Sequence, residues 1–485
     1  MHIGLDLGTS SLIAVLSEDG KPRARAMRPL STASPHPYWS EQQPEDWWQA
    51  ALSALDELLA PLGPGGRAGV RAIGLSGQMH GAVLLNDAGR VLRPAMLWND
   101  GRAHAECAAL TRALPEIGMI AGVPPLPGLT APKFPWLARH EPHILGAVRH
   151  VLMPKDYLGH RLHGGHVSDP SDAAGTLLFD QAGRCWSDAL CAAAGVGPAW
   201  LPALRHGHEV AGGLSGTVAR RLGLPEGLPV VTGGGDTATG AVSVGAIEDG
   251  AAFLSLGTSG QVFLAGDRYR PNPERLVHAF AHTLPARWYQ MAAMLNGARP
   301  MAWFAGVAGS DIAPLLAEAE TVPPDRVPLF LPYLTGERTP HGDPHIRGAF
   351  YGLEDGTGRA AMMRAVVEAV AFCFADAFDS LDGGAGIAGP IPAIGGGTRS
   401  DFLLRTIADV TGHAIGRASG ATAGPSIGAA KLAALATGDL SRDDIARRPV
   451  PGKVFEPRSA PVLGARLQRW RALYAALKPL TEGGA

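Results

Sequence analysis

The sequence predicts an α/β protein of two domains, with one mixed sheet in each half of the chain. Three observations favour this fold class. A single hydrophobic core stops growing at roughly 250–300 residues, whereas this chain has 485. A strand–turn–strand segment containing the letters LGTS occurs at residues 6–15 and again at 255–264. Antiparallel strands near the start give way to alternating strands and helices, which is typical of a sheet covered by helices.

The first 95 residues are predicted to open with three antiparallel strands. Gly8, Thr9 and Ser10 join the first two strands, and Asp19-Gly20 is a hairpin signal that leads into the third. Apolar residues at helical spacing then predict a helix, which Pro61 ends. A buried strand is predicted over residues 70–77, and a further hairpin over residues 81–94.

The second half repeats this plan. It begins with a predicted hairpin over residues 251–266 and continues with a long helix over 359–381. A strand, a glycine turn and a helix follow over residues 391–412, and a helix of small residues over 425–438. Because the repeat restarts after the letters DTATGAVS, we place the domain boundary at residue 243 and predict domains 1–243 and 244–485.

Composition and charge exclude several classes of protein. The net charge is −2 with 18% charged residues, so nothing predicts binding to nucleic acid or to an anionic membrane surface. The apolar stretch at 365–378 is too short to span a bilayer. The four cysteines fit neither a zinc site nor a disulfide framework, and the chain opens with a strand rather than a secretory signal. We therefore expect a cytoplasmic protein.

The two LGTS hairpins are candidate phosphate sites. A Gly-Thr-Ser turn gathers backbone N–H groups and two hydroxyls in a small concavity that suits an anion. A single copy, Gly8–Ser10, is explained as well by a plain hairpin turn. The second copy, Gly257–Ser259, shifts the balance, because two facing domains could grip the phosphates of one nucleotide from opposite sides.

Two aspartates next to glycine turns are candidate catalytic groups. Asp6 precedes the first hairpin, where a carboxylate could support Mg²⁺ or could simply stabilise the turn. Asp236 follows a buried strand and the glycines 233–235. A helix N-cap explains an aspartate there, but three glycines exceed what a cap needs. They allow a ligand to approach the backbone, so Asp236 could accept a proton from an attacking hydroxyl.

Other segments suggest subsites for a sugar and a base. Gln78, Met79 and His80 follow a predicted strand, and Trp98 lies in the polar stretch LWNDGR. An aromatic face beside amide, imidazole and charged groups is a composition that suits a polyol. A second glycine run, residues 395–397, precedes Thr398 and could lie against a nucleoside or could be a tight strand–helix turn.

The motifs together resemble a known family. GLDLGTS, SGQMHG, LWNDGR, GLTAPK, PKDYL, SDAAGT, GGGDTATGAV, LSLGTSG, YLTGERTP, GAFYGL and IGGGTRSDF occur in the order seen in FGGY carbohydrate kinases, and most closely in those that act on xylulose. The resemblance implies an actin-like ATPase fold, with two ribonuclease-H-like domains and ATP in the cleft. It implies ATP-dependent phosphorylation of D-xylulose to D-xylulose 5-phosphate.

The resemblance also implies roles for individual residues. Asp236 would accept the proton and, with Asp6, support Mg²⁺. The sugar would contact Gln78, Met79, His80, Trp98, Asp236 and Thr237. ATP would contact Gly8, Thr9, Ser10, Gly257, Thr258, Ser259, Gly396 and Gly397. A homodimer is a further expectation.

Two departures from the family pattern keep other substrates open. Ile13 stands where the first hairpin often carries Lys or Arg, and Thr237 stands where Asn or Gln often follows the catalytic aspartate. A kinase for another ketose or polyol is therefore an alternative. More remote alternatives are a nucleotide-switched binding protein of the actin or Hsp70 type and a catalytically silent sugar sensor.

Overall fold

Each half of the chain builds one mixed sheet of seven strands. The structure, a computed structural model, describes residues 1–381, 386–418 and 424–481. The first sheet contains His2–Leu7 (β1), Ser11–Glu18 (β2), Lys21–Pro29 (β3), Ala72–Gly77 (β4), Val210–Gly213 (β5), Pro229–Val231 (β6) and Gly234–Gly235 (β7). The second contains Ala252–Leu256 (β8), Gly260–Gly266 (β9), His278–Ala281 (β10), Trp288–Met294 (β11), Ile391–Ile394 (β12), Ile415–Ala418 (β13) and Pro451–Phe455 (β14).

Helices cover both sheets. The longer ones are Pro44–Leu59 (α1), His104–Ala113 (α2), Lys133–His140 (α3), Pro154–His163 (α4), Asp236–Ser243 (α5), Arg299–Val307 (α6), Ile312–Thr321 (α7), Arg359–Ser380 (α8), Asp401–Thr411 (α9), Pro425–Ala436 (α10) and Pro461–Leu477 (α11). Shorter helices are Pro64–Ala68, Ile117–Ala121, Pro142–Ala147, Pro170–Ala174, Asp188–Ala194, Gly216–Leu222 and Arg442–Ala446. Two-stranded ribbons pair Glu41–Gln42 with Ala95–Met96, Val83–Leu85 with His150–Leu152, Val167–Ser168 with Ala203–Leu204, Phe179–Asp180 with Cys185–Trp186, and Leu329–Leu331 with Ala349–Tyr351.

The two sheets share one topology. In the first, the order β3-β2-β1-β4-β6-β5 joins three antiparallel strands to two parallel ones and a final antiparallel strand. In the second sheet, antiparallel and parallel pairs occur in the same succession along the strand order β11-β9-β8-β12-β13-β14. The LGTS turns join β1 to β2 and β8 to β9. The predicted α/β class and the repeated hairpin are therefore confirmed.

Helix α10 of the second half packs directly on the first sheet. Glycines on β1 and β4 permit this approach, because a Cβ added to Gly4 would lie 1.9 Å from the carbonyl oxygen of Ser426. A Cβ added to Gly74 would lie 2.0 Å from that of Ala429. Helix α10 also packs on α5, where Gly428 approaches the backbone of Thr239 equally closely.

Three large apolar clusters form the core. One belongs to the first sheet and α1, and one to the second sheet with α8 and α9. The third joins both halves, since Phe263 and Tyr289 of the second sheet pack in the same cluster as Met79 and Ala238 of the first half. Met79 and Ala238 of this shared cluster adjoin the candidate site described below.

The hairpin expected over residues 81–94 forms only in part. Val83–Leu85 pairs with His150–Leu152, and a single bridge links Leu85 to Val91. Pro94 has no N–H to continue the ladder, and the next two residues pair with Glu41–Gln42 instead. Among the described residues, no helix combines the length and apolar character needed to cross a membrane.

Candidate active site

The carboxyl ends of three adjacent strands bring the two aspartates together. In the sheet register, Asp6 on β1 and Gly234 on β7 both lie opposite Ser76 on β4. The Ser76 hydroxyl donates a hydrogen bond to Asp6 Oδ1 at 3.1 Å and lies 2.7 Å from the hydroxyl of Thr239 on α5. Ser76 thus connects the first aspartate to the helix that Asp236 begins. Ser76 lies within the motif SGQMHG, but no feature of that motif singles it out from its neighbours.

The glycine turn before Asp236 has a conformation that other residues cannot adopt easily. Gly233 has a φ of +76°, and a Cβ there would lie 1.8 Å from the carbonyl oxygen of Leu75. The turn delivers Asp236 to the first position of α5, where its side chain is half-buried. The carboxylate accepts hydrogen bonds from the backbone N–H of Thr237 at 2.7 Å and from its hydroxyl at 3.4 Å. Asp236 is therefore placed by strand, turn and helix together.

The surroundings of both aspartates favour their protonated forms. Burial raises the pKa of Asp6 to about 7, with a further contribution from the charge of Asp236 and an opposing one from the Ser76 hydrogen bond. Burial raises the pKa of Asp236 to about 6. The residue across the strand pair from Asp6 is the apolar Ile13, so no cation stands there. A carboxylate with a pKa near neutrality is suited to accept a proton from a weakly acidic hydroxyl.

Met79 and His80 pack between two glycines of the first half. A Cβ on Gly235 would lie 2.8 Å from Met79 Cγ, and one on Gly175 would lie 2.5 Å from His80 Nδ1. His80 Nδ1 lies 2.6 Å from the carbonyl oxygen of Gly175, which can only accept, so Nδ1 carries the proton. Burial lowers the pKa of His80 to about 4. The neutral ring therefore has Nε2 free to accept a hydrogen bond from a hydroxyl.

A buried lysine that sequence reasoning missed holds the backbone of His80. His80 has a φ of +70°, which is uncommon for a residue with a side chain. Lys133 Nζ donates hydrogen bonds to the carbonyl oxygens of His80, at 2.6 Å, and Met96, at 3.0 Å. Lys133 occurs in the motif GLTAPK, and its burial, which lowers its pKa to about 7, could not be read from the letters.

The first LGTS hairpin is tied to the same region by a polar network. Thr9 donates its hydroxyl to Gln78 Oε1 at 2.8 Å and accepts a hydrogen bond from Trp98 Nε1 at 2.9 Å. Gln42 donates to the Thr9 carbonyl oxygen at 2.7 Å and accepts from Gln78 Nε2 at 3.1 Å. The amide of Gln78 is thus engaged with the protein, while Trp98 and Ser10 are exposed. No sequence pattern pointed to Gln42.

The second LGTS hairpin and the second glycine run line a common cleft. The cleft has a volume of about 700 Å³, and Gly257, Thr258, Gly396 and Gly397 border it. Ser259, the last residue of the turn, is exposed and is not part of this lining. The remaining wall comes from residues that sequence reasoning did not select, including Arg299, Met301, Ala302, Ile312, Leu316, Arg399 and Ser400.

The glycines of this cleft differ in what surrounds them. Gly395 has a φ of +98°, and a Cβ there would lie 2.7 Å from the carbonyl oxygen of Leu256. Gly396, in contrast, has no heavy atom within 4 Å of an added Cβ. Its open side and the apolar side chains of α6 and α7 leave room for a flat ligand against the backbone. The cleft can therefore accommodate an aromatic base close to the second hairpin.

Known proteins resemble this chain both in sequence and in structure. Residues 1–243 match the N-terminal domain and residues 252–437 the C-terminal domain of the FGGY family of carbohydrate kinases. The chain is 43% identical to a xylulose kinase of Escherichia coli strain K12 over 442 residues, covering 90% of each chain. It is 41% identical to a xylulose kinase of Klebsiella pneumoniae, covering 99% of this chain and 100% of that one. A crystal structure from Brucella ovis, described as a xyloylose kinase, superposes with a TM-score of 0.94 at 41% identity over 99% of both chains.

Proposed function

The chain belongs to the FGGY family of carbohydrate kinases, and from that membership we infer that it catalyses the ATP-dependent phosphorylation of D-xylulose to D-xylulose 5-phosphate. The observation that carries this function is the identity of 41–43% to curated xylulose kinases over at least 90% of the chain. Sugar and ATP are accordingly its two substrates. The arrangement of the aspartates, the His80 pocket and the glycine-lined cleft is consistent with this reaction.

Asp236 is proposed as the general base. The oxygen of the terminal sugar hydroxyl attacks the γ-phosphorus of ATP, an O–P bond forms, and the bond to the β-phosphate oxygen breaks to release ADP. The hydroxyl proton passes to the Asp236 carboxylate. The half-buried position of Asp236 and its pKa near 6 support this assignment, because the carboxylate is ionised at neutral pH yet accepts a proton readily.

Asp6 is proposed to support Mg²⁺ beside the phosphates, together with Asp236. The chemistry of the donors fits this ion, because Mg²⁺ prefers oxygen ligands and usually keeps several waters, with one or two carboxylates and the substrate phosphates. The ion would neutralise phosphate charge during transfer.

The remaining site residues are assigned by their positions. His80 Nε2 would accept a hydrogen bond from a sugar hydroxyl, and Met79 would pack against the carbon chain of the sugar. Gly396 and Gly397 would lie against adenosine. The hairpins at Gly8–Ser10 and Gly257–Ser259 would face the phosphates. Gln78 and Trp98 would act chiefly by orienting Thr9, since their polar groups bond within that network.

Closure of the two halves over both substrates is part of the proposal, because excluding water favours transfer to the sugar over hydrolysis.

Three expectations from the sequence stay predictions: a homodimer, a cytoplasmic location and the domain boundary at residue 243.

A panel of ketoses and polyols, with ADP release and sugar phosphate both measured, tests the function. We expect D-xylulose to give the highest kcat/KM and one phosphate transferred per ADP released. A higher kcat/KM for another ketose would contradict the assigned sugar. ADP release without any sugar phosphate would contradict the kinase itself and favour a nucleotide-switched protein.

A further inference from the structure

A buried polar chain lies directly behind the glycine turn that carries Asp236. The Ser171 hydroxyl accepts a hydrogen bond from the backbone N–H of Gly235 at 3.1 Å. The same hydroxyl donates to Asp169 Oδ2 at 2.6 Å. Ser171 and Asp169 are both fully buried, so these bonds do not compete with water. The residue immediately before Asp236 is thus tied to a side chain some 60 positions earlier in the chain.

The network of buried polar groups continues from Asp169 to a buried lysine. Lys155 Nζ lies 3.3 Å from Asp169 Oδ1, 2.5 Å from Asp156 Oδ1 and 3.6 Å from Asp172 Oδ2. It also donates to the carbonyl oxygen of Thr232 at 3.4 Å. Because Thr232 precedes the three glycines and Gly235 ends them, Lys155 and Ser171 hold the turn at both of its ends.

This cluster is a poor way to stabilise a fold. Removing an ammonium and three carboxylates from water costs several kcal/mol per ion, and apolar residues of the same volume are often no less stable. Neither oxygen of the buried Asp172 carboxyl has a hydrogen-bond partner among the described residues. What such a network does provide, when its bonds are directional, is a fixed geometry for the backbone that it contacts.

We propose that Ser171, Asp169 and Lys155 are positioning residues that hold the Gly233–Gly235 turn so that the Asp236 carboxylate meets the sugar hydroxyl. This inference rests on the proposed role of Asp236 as general base. The opposite face of the turn is held by the second half, because the Thr283 hydroxyl donates to the Gly233 carbonyl oxygen at 2.7 Å. With both faces held, loss of the Ser171 bond frees the amide next to Asp236 while the rest of the turn keeps its support.

The test is Ser171→Ala, which removes both hydrogen bonds of the hydroxyl and adds no new group. We expect kcat to fall about 10- to 100-fold, because misplacement of a catalytic group by about 1 Å costs that much. KM for D-xylulose and for ATP should change less than about twofold, since Ser171 is fully buried behind the turn. Asp169→Asn should give the same kinetic pattern with a smaller loss.

Ser380→Ala is the matched control. Ser380 is equally buried, and its hydroxyl donates to the Asp376 carbonyl oxygen within its own helix. It should keep the wild-type kcat, and thermal melting should show both variants folded. The proposal is wrong if Ser171→Ala keeps a kcat within about twofold of wild type, or if Ser380→Ala loses as much.

A double variant separates this proposal from the one it rests on. If Ser171 acts through Asp236, adding Ser171→Ala to Asp236→Ala costs no further activity. A further tenfold loss in the double variant would overturn the positioning role and leave the general base intact. Full turnover by Asp236→Ala alone would overturn the base assignment, and with it this inference.

Discussion

The two halves of the molecule have the same strand order but different residues at matching turns. Asp6 before the first LGTS turn corresponds to Ser255 before the second. Asp236 after the first glycine run corresponds to Thr398 after the second. Both carboxylates of the site therefore come from the first half. The difference teaches that one scaffold can carry two kinds of site. Under the proposed function, the half with carboxylates at its turns would accept the proton, and the half with hydroxyls and an open glycine would bind the nucleotide.

The glycine runs of the two halves also differ in what lies beside them. In the first half the space beside Gly235 is filled by Met79, so the turn is part of the protein interior. In the second half the space beside Gly396 is empty and faces the cleft. The first glycine run serves the placement of a side chain, and the second leaves a surface for a ligand.

The largest effect is expected when the two matching residues, Asp236 and Thr398, are substituted one at a time. Asp236→Asn keeps the shape of the side chain but removes the proton acceptor, so kcat should fall about 10²- to 10⁴-fold. Thr398→Ala in the second half removes a hydroxyl that donates to the Gly395 carbonyl oxygen, and it should keep kcat within about threefold. Steady-state kinetics with saturating D-xylulose and ATP measures both. Equal losses in the two variants would show that the halves do not divide the chemistry as proposed.

The second test concerns the stability cost of the first-half carboxylates. Because the pKa of Asp6 is raised to about 7 in the folded protein, the folded state binds the proton more tightly than the unfolded state does. Its contribution to stability is greatest below pH 4 and is lost as pH rises from 4 to 7. Asp6→Asn should therefore raise the free energy of unfolding at pH 8 by about 1–3 kcal/mol.

Denaturant titrations at pH 5 and pH 8, without Mg²⁺ and nucleotide, check this prediction. The gain should be smaller at pH 5 than at pH 8. Ser255→Ala, at the matching position of the second half, should show no such dependence on pH. A gain for Asp6→Asn that is the same at both pH values would contradict the raised pKa.

A third test compares the two glycine runs. Gly396→Ala adds a methyl group to open space in the cleft, so the fold should be unaffected and KM for ATP should rise about 5- to 20-fold. KM for D-xylulose should stay unchanged. Gly146→Ala, another glycine with no atom within 4 Å of an added Cβ, is the control and should leave both values at wild type. An unchanged KM for ATP in Gly396→Ala would show that the adenine of ATP does not lie against Gly396.

The smallest effect is expected from Thr237. Its hydroxyl lies 3.4 Å from Asp236, whereas its backbone N–H, at 2.7 Å, provides the shorter bond. Thr237→Val removes only the hydroxyl, so kcat should fall less than about threefold. Thr237→Asn, which restores the residue type frequent in the family, should change KM for the sugar more than kcat. A tenfold loss of kcat in Thr237→Val would show that the hydroxyl itself is required.

What the sequence could predict follows from how local each signal is. The LGTS turns, the glycine runs and the aspartates beside them are contiguous, so their letters indicated strand ends and candidate sites directly. Gln42, Lys133 and Ser171 act on residues that are distant in the chain, and their letters alone do not show which backbone atom they meet. The expected hairpin at 81–94 formed only in part for the same reason, because Val83–Leu85 pairs with His150–Leu152, far along the chain.

Helix α10 has a practical consequence for dividing this chain. A fragment ending at residue 243 would lack the helix that covers Gly4 and Gly74. Its central strands would expose the backbone of these glycines and the side chains of Ala72 and Val231, which pack with Ala433 in the whole chain. Such a fragment should aggregate or stay unfolded when produced alone, and adding the peptide 424–438 should partly restore it. A chimera that combines the two halves of related proteins should fold only if helix α10 and the first sheet come from the same parent protein.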